Sequence, residues 1–91
     1  MQIEFNAIKN KENIIDVRTK NEYQNINLNK GINIPRLVLL KNPEKHLDKN
    51  KTYYLICSKG EVSLFCAKIL NAMGYNCYSI NGGIEKIKNH M

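Results

Sequence analysis

Lys51-Thr52-Tyr53-Tyr54-Leu55-Ile56 runs without a break into Cys57-Ser58-Lys59-Gly60-Glu61-Val62-Ser63. The first six residues are rich in β-formers and read as a strand ending at Ile56. Beyond the loop, Val62, Phe65, Cys66, Ile69 and Met73 recur at helical spacing and predict one apolar helix face. Gly74 closes that helix where a left-handed residue is needed. Strand, glycine-containing loop and helix start therefore follow one another, with Cys57 at the junction.

A residue between a strand end and a helix N-terminus faces unpaired backbone amides, whose dipoles favour negative charge. A cysteine placed there is expected to hold a larger thiolate fraction at neutral pH than a free thiol. Gly60 permits backbone angles closed to other residues, so successive amides can turn inward as an anion nest. Lys59 adds a mobile positive charge at the rim. Cys57 is thus the candidate nucleophile, and Ser58, Lys59, Gly60, Glu61, Val62 and Ser63 form the candidate substrate-binding loop. The bland role for Cys57, a small buried hydrophobe, accounts for a strand end but not for the loop that follows. For Cys66 and Cys77 the bland role is the expectation. Cys66 shares the apolar face with Phe65 and Ile69, and Cys77 begins a strand.

Working outward, Ile14-Ile15-Asp16-Val17 is a short, mostly apolar run suited to a buried parallel strand. Thr19-Lys20-Asn21-Glu22 has the spacing of a capping box and predicts a short helix through Tyr23. An ion pair between Arg18 and Glu22 is within reach by spacing. Gly31 to Pro35 reads as a strand that Pro35 ends, and Arg36 to Lys41 as a helical turn. Pro43 to His46 reads as a second turn with Pro43 at its first position. Cys77 to Ile80 is another strand, Asn81-Gly82-Gly83 a turn, and Ile84 and Ile87 mark a final amphipathic helix. At the other end, Ile3-Glu4-Phe5 reads as an opening strand and Lys9 to Asn13 as a polar connection. Strands alternating with helices predict an α/β fold, a central parallel sheet with helices on both faces. Ligands in such folds sit at the carboxyl ends of the strands, where Cys57 lies.

Composition sets the class. The 91 residues suit one small domain, and 43% hydrophobic with 24% charged residues is a globular balance rather than a disordered one. No apolar run approaches a membrane span and no secretory signal opens the chain, so a cytoplasmic protein with no membrane partner is expected. The net charge of +6 comes from scattered lysines, without tryptophan or any nucleic-acid motif, so no nucleic-acid partner is expected. Three cysteines without CxxC spacing support neither a zinc site nor a disulfide framework; no metal and no cofactor is expected. His46 and His90 lack any partner pattern and are expected at the surface.

Taken together, these segments resemble a single-domain rhodanese, and the resemblance covers nearly the whole chain after residue 13. Ile15-Asp16-Val17-Arg18 with Glu22-Tyr23 is similar to the family's N-terminal motif, and Asn33-Ile34-Pro35 to the strand before its second helical segment. Tyr54-Leu55-Ile56-Cys57, followed by a loop through Val62, resembles the active-site loop. Ala72-Met73-Gly74-Tyr75 and Asn81-Gly82-Gly83-Ile84 resemble the closing elements.

The resemblance implies one rhodanese-like domain over residues 1–91 and an enzyme, a thiosulfate sulfurtransferase-like sulfurtransferase. It implies a sulfane sulfur carried as a persulfide on Cys57, with Asp16 and Arg18 as structural residues near the site. The implied partners are a small anionic sulfur donor, or a protein or low-molecular-weight persulfide, and a thiol acceptor. The family's short loop goes with sulfur transfer, whereas related phosphatases and arsenate reductases use a longer one. Where family loops carry arginine, this chain has Ser58 and Val62, which removes the guanidinium forks that grip an oxyanion. Glu61 adds a negative charge, Asn27 stands for the usual histidine, and Ile87 for the usual tryptophan. The second functional class is a non-catalytic interaction or regulatory module on the same scaffold.

Overall fold

A computed structural model of the chain describes residues 1–28 and 30–88. Five strands form one parallel sheet: β1 (Gln2–Ile3), β2 (Ile14–Asp16), β3 (Ile32–Asn33), β4 (Thr52–Ile56) and β5 (Asn76–Ile80). Their order across the sheet is β1-β5-β4-β2-β3, which puts β4 at the centre. Four helices connect them: α1 (Lys20–Asn25), α2 (Arg36–Lys41), α3 (Glu61–Ala72) and α4 (Gly83–Lys88). No described helix is long and apolar enough to cross a membrane.

The alternation of side chains along a strand divides the core into two layers. Ile15 and Val17 from β2 and its end, with Tyr53, Leu55 and Cys57 from β4 and its end, face α2 and α3, where Leu39, Cys66, Ala67 and Leu70 complete a buried cluster. Ile14, Ile56 and Ile80 face the other way and pack with Ile84 of α4. Helices thus cover both faces, as the strand–helix alternation predicts. The three cysteines are free and buried.

Several boundaries differ from the sequence reading. The opening strand stops at Ile3, because Glu4 leads into a 3-10 turn over Phe5–Ala7. The polar connection contains a second such turn, Lys11–Asn13, and the turn at Pro43 is also 3-10. The helical stripe shows the larger difference. Ser63, Cys66, Ala67 and Leu70 make the buried face of α3, while Phe65 is 62% and Met73 46% exposed. Two stripes about 100° apart share Cys66, and apolar periodicity does not choose between them. The choice falls to Ser63, whose hydroxyl has buried partners and turns Phe65 outward. His46 is exposed, whereas His90 lies outside the described residues.

Candidate functional site

The carboxyl ends of β2 and β4 are held side by side. Val17 N donates to Ile56 O (2.9 Å), and Arg36 N donates to Val17 O (3.0 Å), which sets the start of α2 beside them. The chain leaves β4 at Cys57 and must reverse into α3 within a few residues. Gly60 makes that reversal possible with φ +100°, and a Cβ there would stand 3.0 Å from Gly82 N. Gly83 supports the loop from below. Its φ is +63°, and a Cβ would lie 2.3 Å from Cys57 O and 2.6 Å from Ser58 O. Those two carbonyls accept from Ile84 N (2.9 Å) and Glu85 N (3.0 Å), so the first turn of α4 fastens the loop.

The result is a cradle around one sulfur. Gly60 N donates to Cys57 Sγ at 3.1 Å and Ser63 N at 3.3 Å. The thiol lies 3.3 Å from Ser63 Oγ, which lies 2.7 Å from Ser79 Oγ on β5. Both hydroxyls lie 3.3 Å from Gly60 O. Sulfur that accepts from two amides is set up to carry negative charge. The other two thiols have no such surroundings. Burial pushes the Cys66 thiol up, and pushes Cys77 up to about 11.

Cys57 is 4% exposed, yet it forms the floor of an open cavity of about 420 Å³ between the loop and α2. Ser58 and Val62 sit half-buried on the loop side; Lys59 and Glu61 stand exposed at its rim. Gly60 and Ser63 are buried beneath it. Of the loop amides from Ser58 to Ser63, those of Gly60 and Ser63 reach the sulfur among the described residues.

Asp16 and Arg18 come together behind the cavity. Arg18 Nε donates to Asp16 Oδ1 (3.0 Å) and Nη2 to Asp16 Oδ2 (2.8 Å), a forked pair in which both groups are buried. Arg18 also donates to Ile26 O, and its bonds to Asp16 raise its pKa further. The Arg18–Glu22 ion pair does not form. Glu22 instead closes the capping box, accepting from Thr19 N (3.2 Å) and Thr19 Oγ1 (3.0 Å), which lowers its pKa.

Sequence reasoning missed two kinds of residue here. Ser79 lies on another strand, and only its position as a small polar residue in an apolar run hints at a buried role. Arg36, Leu37 and Pro35 form the far wall; their signal was that they follow the end of β3, which pairs with β2, the neighbour of β4.

The Rhodanese-like domain family model matches residues 2–90. The thiosulfate sulfurtransferase PspE of Escherichia coli is 35% identical over 81 residues, which cover 84% of this chain and 74% of that protein. The adenylyltransferase and sulfurtransferase uba4 of Ogataea parapolymorpha is 36% identical over 79 residues, 80% of this chain. The chain spans only 17%, 19% and 20% of the length of three of the curated relatives it matches. A crystal structure of a rhodanese-related protein from Thermoplasma volcanium superposes with a TM-score of 0.75 at 30% identity, covering 85% of this chain and 76% of that one. Family model, relative and superposed structure agree, and the chain belongs to the Rhodanese-like domain family.

Proposed function

We propose that this chain is a sulfurtransferase that carries sulfane sulfur as a persulfide on Cys57. The observation that supports it is the pair of amides, Gly60 N and Ser63 N, aimed at Cys57 Sγ on the floor of an open cavity. In the first step the Cys57 thiolate attacks the outer sulfur of a donor such as thiosulfate. A new S–S bond forms, the donor's S–S bond breaks, and sulfite leaves with the electron pair. In the second step an acceptor thiolate attacks the outer sulfur of the Cys57 persulfide, and the Cys57 thiolate is regenerated. The amides that meet Sγ stabilise the Cys57 thiolate present before the first step and regenerated by the second.

Asp16 and Arg18 hold the back wall and take no part in bond making. Three free thiols suit a reducing compartment, which favours the cytoplasm. Incubation with thiosulfate, and separately with a low-molecular-weight persulfide, should add one sulfur atom per chain, located on the Cys57 peptide by mass spectrometry. A Cys57→Ser protein that accepts sulfur as well as the parent does would sink the proposal. The second reading, a non-catalytic interaction module, draws on Leu37, 74% exposed beside the cavity. It predicts that no donor modifies Cys57.

A further inference from the structure

The Cys57 loop contributes no guanidinium to its cavity, but the opposite wall does. Two arginines line that space, Arg18 and Arg36. Arg18 is committed to Asp16 and to the Ile26 carbonyl. Arg36 is the first residue of α2, its backbone fixed by the bond from its amide to Val17 O (3.0 Å). Its side chain is exposed and makes no hydrogen bond or ion pair among the described residues. The charge is still felt across the cavity, where it helps to hold the Glu22 carboxyl down.

The remaining charged groups on the cavity are Lys59, Glu22 and Glu61. Glu22 is occupied by Thr19, and Glu61 sits at the start of α3 on the loop side. An anion entering over Cys57 therefore meets one planar fork with all its donors open, on the α2 side, and one ammonium on the loop side. A fork matches a sulfonate or carboxylate in two places; an ammonium acts as a point charge.

We propose that Arg36 binds the anionic end of the sulfur donor, so that the specificity-determining guanidinium comes from α2 instead of from the cysteine loop. This rests on Cys57 being the reacting sulfur. The donor class is a sulfane compound whose sulfonate or carboxylate reaches Arg36 while its outer sulfur meets Cys57 Sγ.

The test compares two alkylating reagents that differ in charge. In both, the Cys57 thiolate displaces iodide and forms a C–S bond, but iodoacetate carries a carboxylate and iodoacetamide does not. Rates are followed by mass spectrometry of the Cys57 peptide in the parent chain, Arg36→Met, Arg36→Lys and Lys59→Met. Arg36→Met should slow iodoacetate about tenfold, the value of one charge-assisted contact, and leave iodoacetamide within about twofold. Arg36→Lys should recover part of the loss. Equal slowing of both reagents, no change in either, or a loss confined to Lys59→Met overturns the inference. The same variants are then offered thiosulfate, and Arg36→Met should raise KM more than it lowers kcat. A parent chain that takes sulfur from no donor yet keeps the charge-dependent alkylation overturns sulfur transfer and upholds the Arg36 site.

Discussion

At Cys57 Sγ, the distances to Gly60 N (3.1 Å) and Ser63 N (3.3 Å) separate one thiol from two others of the same chain. Cys66 and Cys77 are as buried, but burial without donors disfavours a thiolate. The two serine hydroxyls extend the cradle into the sheet. When Cys57 is a thiol it donates to Ser63 Oγ; when it is a thiolate, Ser63 must turn and donate to it. Ser79 can then supply the proton that Ser63 Oγ accepts, at 2.7 Å. Ser63→Ala removes the direct contact and should slow iodoacetamide at Cys57 by about tenfold, a single net hydrogen bond. Ser79→Ala removes only the support and should slow it by roughly threefold. Alkylation rates at pH 7 measure both; a Ser79→Ala rate equal to the parent's dismisses the relay. Ser63 was legible from its place in the loop, since six residues of spacing carry it there. Ser79 was not, because its partner is brought to it by the pairing of strands and no local pattern records that contact.

Among the elements, the capping box and the strand preceding Cys57 follow from short-range chemistry, and both form as their spacing predicts. The face of α3 does not, because a buried serine overrides the apolar stripe. Gly83 is a similar case. The sequence marks it only as part of a turn, whereas its lack of a side chain lets α4 approach the carbonyls of Cys57 and Ser58. Gly83→Ala should cost roughly 2–3 kcal/mol through its left-handed backbone and the clash with Cys57 O, and should also slow alkylation of Cys57. Gly74→Ala provides the contrast. Its φ is also positive, +96°, but the nearest atoms belong to the flexible end of Lys49 at 3.5 Å. It should lower stability by about 1 kcal/mol and leave Cys57 reactivity unchanged. Urea unfolding and alkylation rates, measured on both variants, separate support of the loop from general destabilisation.

For the whole molecule, the parallel sheet was legible from alternating strands and helices, but the order of its strands was not. Order depends on which edges meet after the crossovers, and short strands of two or three residues carry little registry of their own. Burial in this double-layered core also gives the fold a pH limit. The Cys77 thiol moves from an ordinary 9.0 to about 11 because its thiolate would be desolvated. The folded chain therefore keeps a proton that the unfolded chain releases, and stability falls as pH rises between these two values. The loss is roughly 2–3 kcal/mol across that window and is absent below it. Cys77→Ala, followed by urea unfolding over the same range, should lose less stability than the parent; an identical decline places its cause elsewhere.

The pairing of β1 with β5 sets Gln2 opposite Ser79, and Met1 O accepts from Ser79 N at 2.7 Å. β1 thus waits for a strand that the ribosome makes only after α3. Until then β1 has no sheet edge to join, and the residue that braces Ser63 has not been made. A nascent chain released after α3 would contain Cys57 and its whole loop without the strand that seats them. Such an intermediate leaves the Cys57 thiol unsheltered and the apolar face of α3 without part of its partner sheet.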